Sequence, residues 1–272
     1  MKLLRKNKNI FVINKKVGQT PLDVLENFKK QNEDYRNKKL TYVGRLDPMA
    51  EGKLLVLADE VCKKRKKYLI LDKEYEFEIL LGFKSDSQDI LGMVKADFNQ
   101  EYNLDEIQKK LGDFIGKRKM KYPVFSSKTV KGKPLFLWAK ENRLSEIEIP
   151  EKEIEIYEIE YLRERILSKE NLEKEIYKKL ELVKEGGKNN NDFRKEEILK
   201  NWEQVFSVIS DEQKFNIIKI KVICSSGTYM RNLSELFAKE IFNSYGLAFS
   251  IKRIEIGKYR KFLNFGFWSK KF

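Results

Sequence analysis

Strict alternation over residues 73–81 constrains the fold of this chain more than any other feature. Apolar side chains alternate there with acidic ones, Tyr75, Phe77 and Ile79 with Glu74, Glu76 and Glu78. Because successive side chains of a strand point to opposite faces, this period of two predicts a half-buried strand. One face of that strand must meet a core, and the other must stay polar.

Other short apolar segments are also typical of strands, and many of them are consecutive. They cover residues 10–13, 54–58, 154–162, 217–224 and 248–256, of which the last is the final predicted strand. Consecutive strands favour an α+β fold over a doubly wound parallel sheet.

Helices are fewer than strands. The first is predicted from Thr20 as N-cap, Pro21 at the first helical position and Asp23 in the first turn, with Val24, Leu25 and Phe28 as its apolar face. A short capped helix is predicted over residues 103–111, followed by a basic stretch to Lys121. A third begins near Tyr229, with Gly246 as its predicted stop and an apolar stripe of Leu233, Leu236, Phe237 and Ile241.

The charge balance indicates a partner. Lys and Arg number 56 against 42 Asp and Glu, which gives a formal net charge of +14 and a pI of about 9.4. Nucleic acid is the first partner that such a balance indicates, because neutralised phosphates release condensed counterions. Solubility alone, or the residue bias of an A/T-rich genome, is the plainer explanation.

Cysteine and histidine usage bounds the chemistry. Cys62 and Cys224 are the only cysteines, and the chain has no His, so neither a disulfide framework nor a zinc site is expected. The first residues lack the apolar core of a signal peptide, and no uncharged run approaches the roughly 20 residues of a membrane span. We expect a soluble, cytoplasmic protein with no cofactor, no metal and no membrane partner.

Residues 163–214 differ from the rest of the chain in being highly charged and helical in pattern. Apolar residues recur there with helical spacing on both sides of a Gly/Asn-rich loop at residues 186–192: Leu172, Ile176, Leu180 and Val183 before it, and Ile198, Trp202, Val205 and Ile209 after it. This pattern predicts an αα-hairpin inserted between two strands. Acids and bases alternate along the insertion without forming a basic stripe, which favours a structural decoration over an additional nucleic-acid contact.

One acid stands on a stiff bend, in the run Gly44-Arg45-Leu46-Asp47-Pro48. Pro48 pushes Asp47 out of helical geometry, and the flanking Gly44 and Gly52 allow a sharp turn or a close approach of the backbone. In a chain this basic, the bend indicates one carboxylate working in a basic site.

Six segments, in order, resemble motifs of the TruB-type pseudouridine synthases. Residues 44–52 resemble the catalytic loop of that family, and residues 224–231 resemble its Cys-Ser-x-Gly-Thr-Tyr-Ile-Arg motif. The other four are residues 14–20, 73–77, 82–92 and 123–141, so that the resemblance covers most of residues 10–260 outside the insertion. The chain departs from the family pattern at Asn14, Lys16, Phe125 and Ser127.

The resemblance implies the pseudouridine-synthase fold. This is an α+β fold with a mixed, mainly antiparallel central sheet, flanking helices and an RNA-binding cleft. Residues 1–262 would form the catalytic domain, with residues 163–214 as an insertion within it and residues 263–272 as a short C-terminal tail. Bacterial members of the family continue into a small RNA-binding PUA domain, and because only about a dozen residues follow Lys258, that domain is expected to be absent.

The implied activity is isomerisation of uridine to pseudouridine in RNA. The implied target is uridine 55 in the T loop of tRNA, and the enzyme is expected to act as a monomer. Asp47 would supply the carboxylate, and Arg231 would keep it ionised and oriented. Tyr75 would lie against the flipped uracil, and its hydroxyl is a candidate for the late proton removal, although a phenol is a poor base near neutrality.

Further residues are implied contacts for the RNA or the uracil: Tyr42, Arg45, Lys15, Lys128, Ile251 and Arg253. Tyr42 stands where the family typically has a His, and an aromatic ring can stack on bases. Arg45 and Lys15 would flank the bend. Ile251 and Arg253 lie in a segment that lines the uracil pocket in the family. Lys128 and residues 118–121 are candidates for phosphate contacts.

Each assignment also has a plainer structural interpretation. Asp47 could cap a turn, Tyr75 could be a core residue, and Arg231 could form a surface salt bridge. Asp86 and Asp89 resemble paired metal ligands, but their Ser neighbours favour turn capping. The main alternative function is an RNA-binding or RNA-folding chaperone of the same fold, and a weaker one is a metal-dependent nuclease that uses Asp86 and Asp89.

Overall fold

The computed structural model describes residues 8–98, 107–183, 193–262 and 265–272. The strands within these ranges are β1 Ile10–Lys15, β2 Leu40–Val43, β3 Ala50–Ala58, β4 Asp72–Leu81, β5 Phe83–Ser85, β6 Val94–Ala96, β7 Gly116–Lys121, β8 Thr129–Val130, β9 Lys133–Pro134, β10 Glu151–Ser168, β11 Lys214–Cys224, β12 Gly246–Phe262 and β13 Phe265–Lys271. The α-helices are α1 Pro21–Gln31, α2 Arg65–Leu69, α3 Ile107–Gly112, α4 Leu135–Lys140, α5 Lys169–Leu182, α6 Lys195–Ser207 and α7 Met230–Phe242.

One large sheet organises the molecule. Its strand order in the described ranges is β1-β3-β12-β4-β11-β10-β7, with β2 also paired to β3 and β13 also paired to β12. Every pair is antiparallel except β3 with β12, where Ala50 lies opposite Ile251 in parallel register. The predicted α+β fold with a mixed, mainly antiparallel sheet is therefore confirmed.

The pairing around β3 places one bend beside the middle of the sheet. β2 pairs with residues 55–58 of β3, whereas β12 pairs with residues 50–52 of the same strand. The chain between β2 and β3 therefore opens next to β12, and this chain carries Asp47.

The alternation over residues 73–81 forms β4, as predicted, but the expected half-burial is wrong from Glu78 onwards, because the strand separates two cores. Tyr75, Phe77 and Ile79 share a core with α7, where Phe237 lies 6.2 Å from the ring of Phe77. Leu80, on the other face of β4, belongs to a second core beneath α5 and α6. Burial of both faces explains why even Glu78 is only 9 % exposed.

The inserted αα-hairpin is present, and it lies between two paired strands, β10 and β11. The helical part starts at Lys169 and not at residue 163, because β10 runs on to Ser168. The apolar residues of the two helices are fully buried with side chains from the sheet and the β5–β6 hairpin: Leu172, Ile176, Leu180, Ile198 and Trp202 against Phe83, Phe215 and Phe249. The predicted loop at residues 186–192 lies outside the described residues.

Two predicted boundaries and the predicted tail differ from the structure. Helix α7 ends at Asn243, which adopts the left-handed conformation with φ +47°, so Gly246 is not its stop but the first residue of β12. The strand predicted over residues 248–256 extends to Phe262 and is not the last one, because residues 265–271, predicted as a tail, form β13. The helix predicted over residues 103–111 is described only from Ile107 onwards.

The predicted start of helix α1 agrees with the structure. Thr20 and Asp23 form a reciprocal capping box at the start of α1. Cys62 and Cys224 are both free. Within the described ranges, no helix is long and apolar enough to cross a membrane.

Candidate active site

The bend that carries Asp47 is held in a conformation that needs glycine at both ends. Gly44 has φ +68° and Gly52 has φ +106°, and both values favour glycine. A Cβ atom on Gly52 would lie 2.2 Å from the carbonyl oxygen of Arg253, so no side chain fits there. The backbone N–H of Ala50 donates to the carbonyl of Asp47 at 3.0 Å and closes the turn.

Arg231 and Asp47 meet at this bend, as predicted. Nε of Arg231 lies 2.9 Å from Oδ2 of Asp47, an ion pair whose N–H is not aimed well enough for a regular hydrogen bond. The Arg231 side chain is 3 % exposed and the Asp47 side chain 28 %. The surface-salt-bridge interpretation of Arg231 is therefore wrong.

Backbone carbonyls fix the guanidinium of Arg231. Nη1 donates to the carbonyl of Ser87 at 2.8 Å, and Nη2 donates to that of Phe125 at 3.2 Å. Arg231 is the second residue of α7, so the helix start delivers the side chain to a place where two separate segments converge. The cation is rigid, and Nε is the nitrogen that faces the acid.

Asp89 is a third member of the site that sequence reasoning missed. Its Oδ2 lies 3.8 Å from Nε of Arg231, while its Oδ1 accepts hydrogen bonds from the Ser87 hydroxyl at 2.6 Å and the Leu91 N–H at 3.0 Å. The predicted turn-capping role is confirmed for Asp89, and likewise for Asp86, which accepts from the Met93 N–H at 2.9 Å. The sequence indicates the capping role of Asp89, which uses Oδ1. It does not indicate the contact of Oδ2 with Arg231, because that contact joins segments far apart in the chain.

Burial and charge act against each other in this cluster. Burial raises the pKa of Asp89 to about 6, although Arg231 and the Ser87 hydroxyl oppose that rise. Burial alone would lower the pKa of Arg231, but Asp47 and Asp89 outweigh it, so that this pKa is raised. Arg231 is therefore a permanent cation, and Asp89 is an acid that titrates in a mildly acidic range.

Tyr75 lies on β4 with only 8 % of its surface exposed. Nη1 of Arg253 is 3.5 Å from its hydroxyl oxygen. Burial raises the pKa of Tyr75, with Arg253 opposing, and hence the phenol stays protonated at neutral pH. This disfavours the hydroxyl as a base. Tyr75 is part of the core beside α7, in agreement with its plainer interpretation, and its predicted contact with the uracil stays a prediction.

Lys15 and Arg253 support the bend from beneath. Nζ of Lys15 donates to the carbonyl of Ala50 at 2.5 Å and to that of Pro48 at 3.3 Å, whereas Arg253 donates from Nε to the Lys53 carbonyl at 2.7 Å and from Nη2 to the Gly44 carbonyl at 3.0 Å. Each is 1 % exposed. Burial, with Arg253 adding to it and Asp47 opposing, lowers the pKa of Lys15 to about 7. The structure shows both side chains bracing the backbone, and their predicted contact with RNA stays a prediction.

The remaining predicted RNA contacts lie at different depths. Arg45 and Lys128 are exposed, and Nζ of Lys128 lies 5.1 Å from the ring centre of Tyr122. Tyr42, half-buried, packs against the core beneath α1, and Ile251 is 5 % exposed in the core that contains Tyr75. Residues 118–121 lie on β7, where Arg118 stacks 4.5 Å from the ring centre of Phe114. Their roles in binding stay predictions.

Comparisons with known proteins bear on the same residues. Residues 32–179 match the family model described as TruB family pseudouridylate synthase (N terminal domain). The tRNA pseudouridine synthase B of Caldanaerobacter subterraneus subsp. tengcongensis is 34% identical over 147 residues, which cover 54% of this chain and 50% of that protein. That of Borreliella afzelii is 25% identical over 249 residues, which cover 92% of this chain and 70% of that protein.

Solved structures agree in fold. A crystal structure of a Cbf5-Nop10-Gar1 complex contains a chain similar to this one, with a TM-score of 0.54 and 15% identity over 92% of this chain and 49% of that chain. The chain spans about half the length of the first relative it matches, 50% for the Caldanaerobacter protein. Because the family match covers more than half of the sequence, this chain belongs to the TruB family of pseudouridylate synthases.

Proposed function

We propose that this protein isomerises uridine to pseudouridine in tRNA, with uridine 55 of the T loop as its target. The reaction breaks the C1′–N1 bond, turns the uracil and joins C1′ to C5, while C5 loses its proton and N1 gains one, so that substrate and product are isomers and no oxidant or reductant is needed. One well-placed carboxylate is sufficient for such a rearrangement. The observation that carries the proposal is Asp47, held on a rigid bend 2.9 Å from the buried Arg231.

Each residue of the site has a part that follows from its surroundings. Asp47 is the group that reacts or stabilises charge, because its side chain is 28 % exposed while its cation is buried. Arg231 places a buried positive charge beside the carboxylate and orients it as the pocket fills and loses water. Tyr75 provides a protonated aromatic surface for the uracil, which must leave its stack to reach the acid.

The substrate and the oligomeric state belong to the same proposal. The names of the similar proteins specify tRNA, and the net charge of +14 suits a polyanion. We expect a monomer to bind the T arm across the exposed Arg45 and Lys128, with Lys15 and Arg253 holding the bend from within.

The alternative function is an RNA-folding chaperone with the same fold. A metal-dependent nuclease is less well supported, because the carboxylates of Asp86 and Asp89 already bind Arg194, Arg231 and backbone N–H groups. In the part of the chain that is described, no three acidic or cysteine side chains are arranged to hold a metal ion.

The Asp47→Asn variant separates the enzyme from the chaperone. After incubation with an unmodified tRNA transcript, pseudouridine would be measured by chromatography of the digested nucleosides, which separates it from uridine of equal mass, together with RNA affinity. We expect pseudouridine formation to fall by at least roughly 1,000-fold while affinity is retained, because the substitution removes the reacting oxygen and keeps the shape. The matched control is Asp211→Asn, whose carboxylate is 93% exposed and pairs with Lys169. If the wild type forms no pseudouridine yet still binds and refolds tRNA, the chaperone replaces the enzyme.

A further inference from the structure

Three phenylalanines are exposed together on the ribbon formed by β12 and β13. Phe262 is 69%, Phe265 78% and Phe267 50% exposed. Pairing of β12 with β4 ends at Gly257, and from there to Phe262 β12 pairs with β13. The ribbon therefore continues past the start of β4 and carries its aromatic rings into solvent.

The register places these rings on one face with basic residues. Phe262 lies opposite Phe265, and Arg260 lies opposite Phe267. Since directly opposed side chains lie on the same face and the period is two, this aromatic–basic face comprises Lys258, Arg260, Phe262, Phe265, Phe267 and Lys270. It has no acid, and among the described residues neither Lys258 nor Arg260 has an ion-pair partner.

The opposite face of the ribbon is anchored to the protein. Tyr259 lies there, 5.2 Å from the ring centre of Trp268 and 5.7 Å from that of Tyr157, and its hydroxyl hydrogen-bonds Glu158. A Cβ atom on Gly266 would lie 1.6 Å from the Tyr259 oxygen, so glycine is required for this packing. Because this face fixes the ribbon against the protein, the three phenylalanines on the other face stay exposed to solvent and do not pack against the core of the same molecule.

The chemistry of the aromatic–basic face fits unpaired nucleotides better than other partners. Exposed rings interleaved with cations stack bases and neutralise phosphates at once, which is how proteins bind single-stranded nucleic acid without reading its sequence. A second copy docked through the same face would oppose cation with cation, without an acid to relieve the repulsion. The face also shares β12 with Arg253, which braces the catalytic bend.

We propose that the aromatic–basic face binds an unpaired stretch of the RNA whose uridine reaches Asp47. This inference rests on the proposed function. Arg260 is seven residues beyond Arg253 on one strand, a separation of roughly 23 Å at about 3.3 Å per residue. An RNA that contacts both Asp47 and the aromatic–basic face must therefore extend well past the modified loop.

The test replaces rings without removing apolar surface, in the double variant Phe265→Leu/Phe267→Leu. Binding of a fluorescent single-stranded oligouridine is expected to weaken by at least about 10-fold, because stacking on two rings is lost. The double variant Phe265→Trp/Phe267→Trp should bind as the wild type does, and binding to an RNA duplex should change in neither. The control is Val208→Ala, which trims an apolar side chain that is 84% exposed elsewhere. Circular dichroism establishes that the variants are folded.

Three outcomes would overturn the proposal. The first is unchanged oligouridine binding by the leucine variant. The second is binding to vesicles of phosphatidylserine that the leucine variant keeps, which would assign the face to a membrane. The third is a dimer in sedimentation that depends on the phenylalanines. Because oligouridine binding is measured without pseudouridine formation, a failure of the isomerase proposal at Asp47 is recorded separately from a failure here.

Discussion

Two arginines of this protein each lie between two carboxylates, on opposite sides of the same sheet. Arg231 contacts Asp47 at 2.9 Å and Asp89 at 3.8 Å on the α7 side. Arg165 contacts Glu175 at 2.6 Å and Glu78 at 3.3 Å on the side of the inserted hairpin. The residue types are nearly the same, but the two clusters differ in how completely their groups are bonded.

In the Arg165 cluster the terminal nitrogens bind the carboxylates directly, and the buried Nε has no hydrogen-bond partner among the residues that the structure describes. The two terminal nitrogens bind both oxygens of Glu175, at 2.6 and 2.9 Å, and Glu78 also accepts from the Ser250 hydroxyl at 2.8 Å. The hydrogen bonds with Arg165 lower the pKa of Glu175. Bidentate pairing of this kind fixes geometry and occupies both oxygens of Glu175.

The Arg231 cluster is incomplete by comparison. Its terminal nitrogens are used on backbone carbonyls, and Nε alone faces the two acids. In the described part of the chain, the Asp47 carboxylate accepts no regular hydrogen bond. A carboxylate that is oriented by charge but accepts no regular hydrogen bond is free to act on a substrate, and this is the difference between the cluster that we propose to be catalytic and the Arg165 cluster.

The largest expected effect comes from replacing each arginine by lysine. Arg231→Lys keeps the charge but loses the planar fork that bridges Ser87, Phe125 and Asp47, so we expect kcat to fall by roughly 100-fold. Arg165→Lys should leave kcat unchanged, because its cluster touches no reacting group. Single-turnover pseudouridine formation measures both. Equal losses in the two variants would break the distinction between the clusters.

Asp89→Asn should have a smaller effect on activity, about 10-fold, since it removes one of the two charges that hold Arg231. The pKa of Asp89 is about 6. Wild-type kcat should therefore decrease as the pH falls through 6, whereas kcat of Asp89→Asn should stay low and lack that step. A wild-type profile that is flat between pH 5 and 7, roughly the range around this pKa, would contradict the role of Asp89.

The same residue makes stability depend on pH. The folded protein holds the Asp89 proton up to about pH 6, whereas the unfolded chain loses it near the ordinary value of 3.8. The unfolding free energy of the wild type, relative to Asp89→Asn, should therefore fall as the pH rises from about 4 to about 6. Urea unfolding over this range measures it. The contrasting variant is Asp211→Asn, because Lys169 lowers the pKa of Asp211, so that its contribution is lost only as the pH falls below the ordinary value.

Sequence patterns predict some features of this molecule and miss others. The β4 strand, the capped helix α1 and the inserted hairpin follow from local periodicity and caps, and Asp47 and Arg231 follow from motifs. Asp89 and the bracing roles of Lys15 and Arg253 depend on which distant segments meet, and no local pattern encodes that. The burial of charged side chains was the property that the sequence predicted least well. Lys15 and Arg253 look like surface cations in the sequence, but each is only 1 % exposed.

Arg194 connects the inserted hairpin with the Arg231 cluster, and its replacement should have the smallest effect on kcat. It lies just before α6, in the insertion, and its Nη1 is 2.8 Å from Oδ2 of Asp86, while its guanidinium lies 4.7 Å from the ring centre of Phe125. Asp86 adjoins Ser87, and the carbonyls of Ser87 and Phe125 are the ones that hold Arg231. Through Arg194 the insertion thus contacts both segments that position Arg231.

Arg194→Gln should lower kcat by roughly 3-fold, because the clamp acts through Arg231 and couplings of this kind are modest. The Michaelis constant should change little if the RNA does not touch Arg194. The matched control is Arg143→Gln, which removes an arginine paired with Glu141 and Glu146 at 48% exposure, away from the site. A lower kcat with an unchanged Michaelis constant would make the insertion part of the catalytic support, whereas a raised Michaelis constant alone would make Arg194 an RNA contact. If neither kcat nor the Michaelis constant changes, the insertion is a structural decoration, and it does not contribute to the Arg231 cluster.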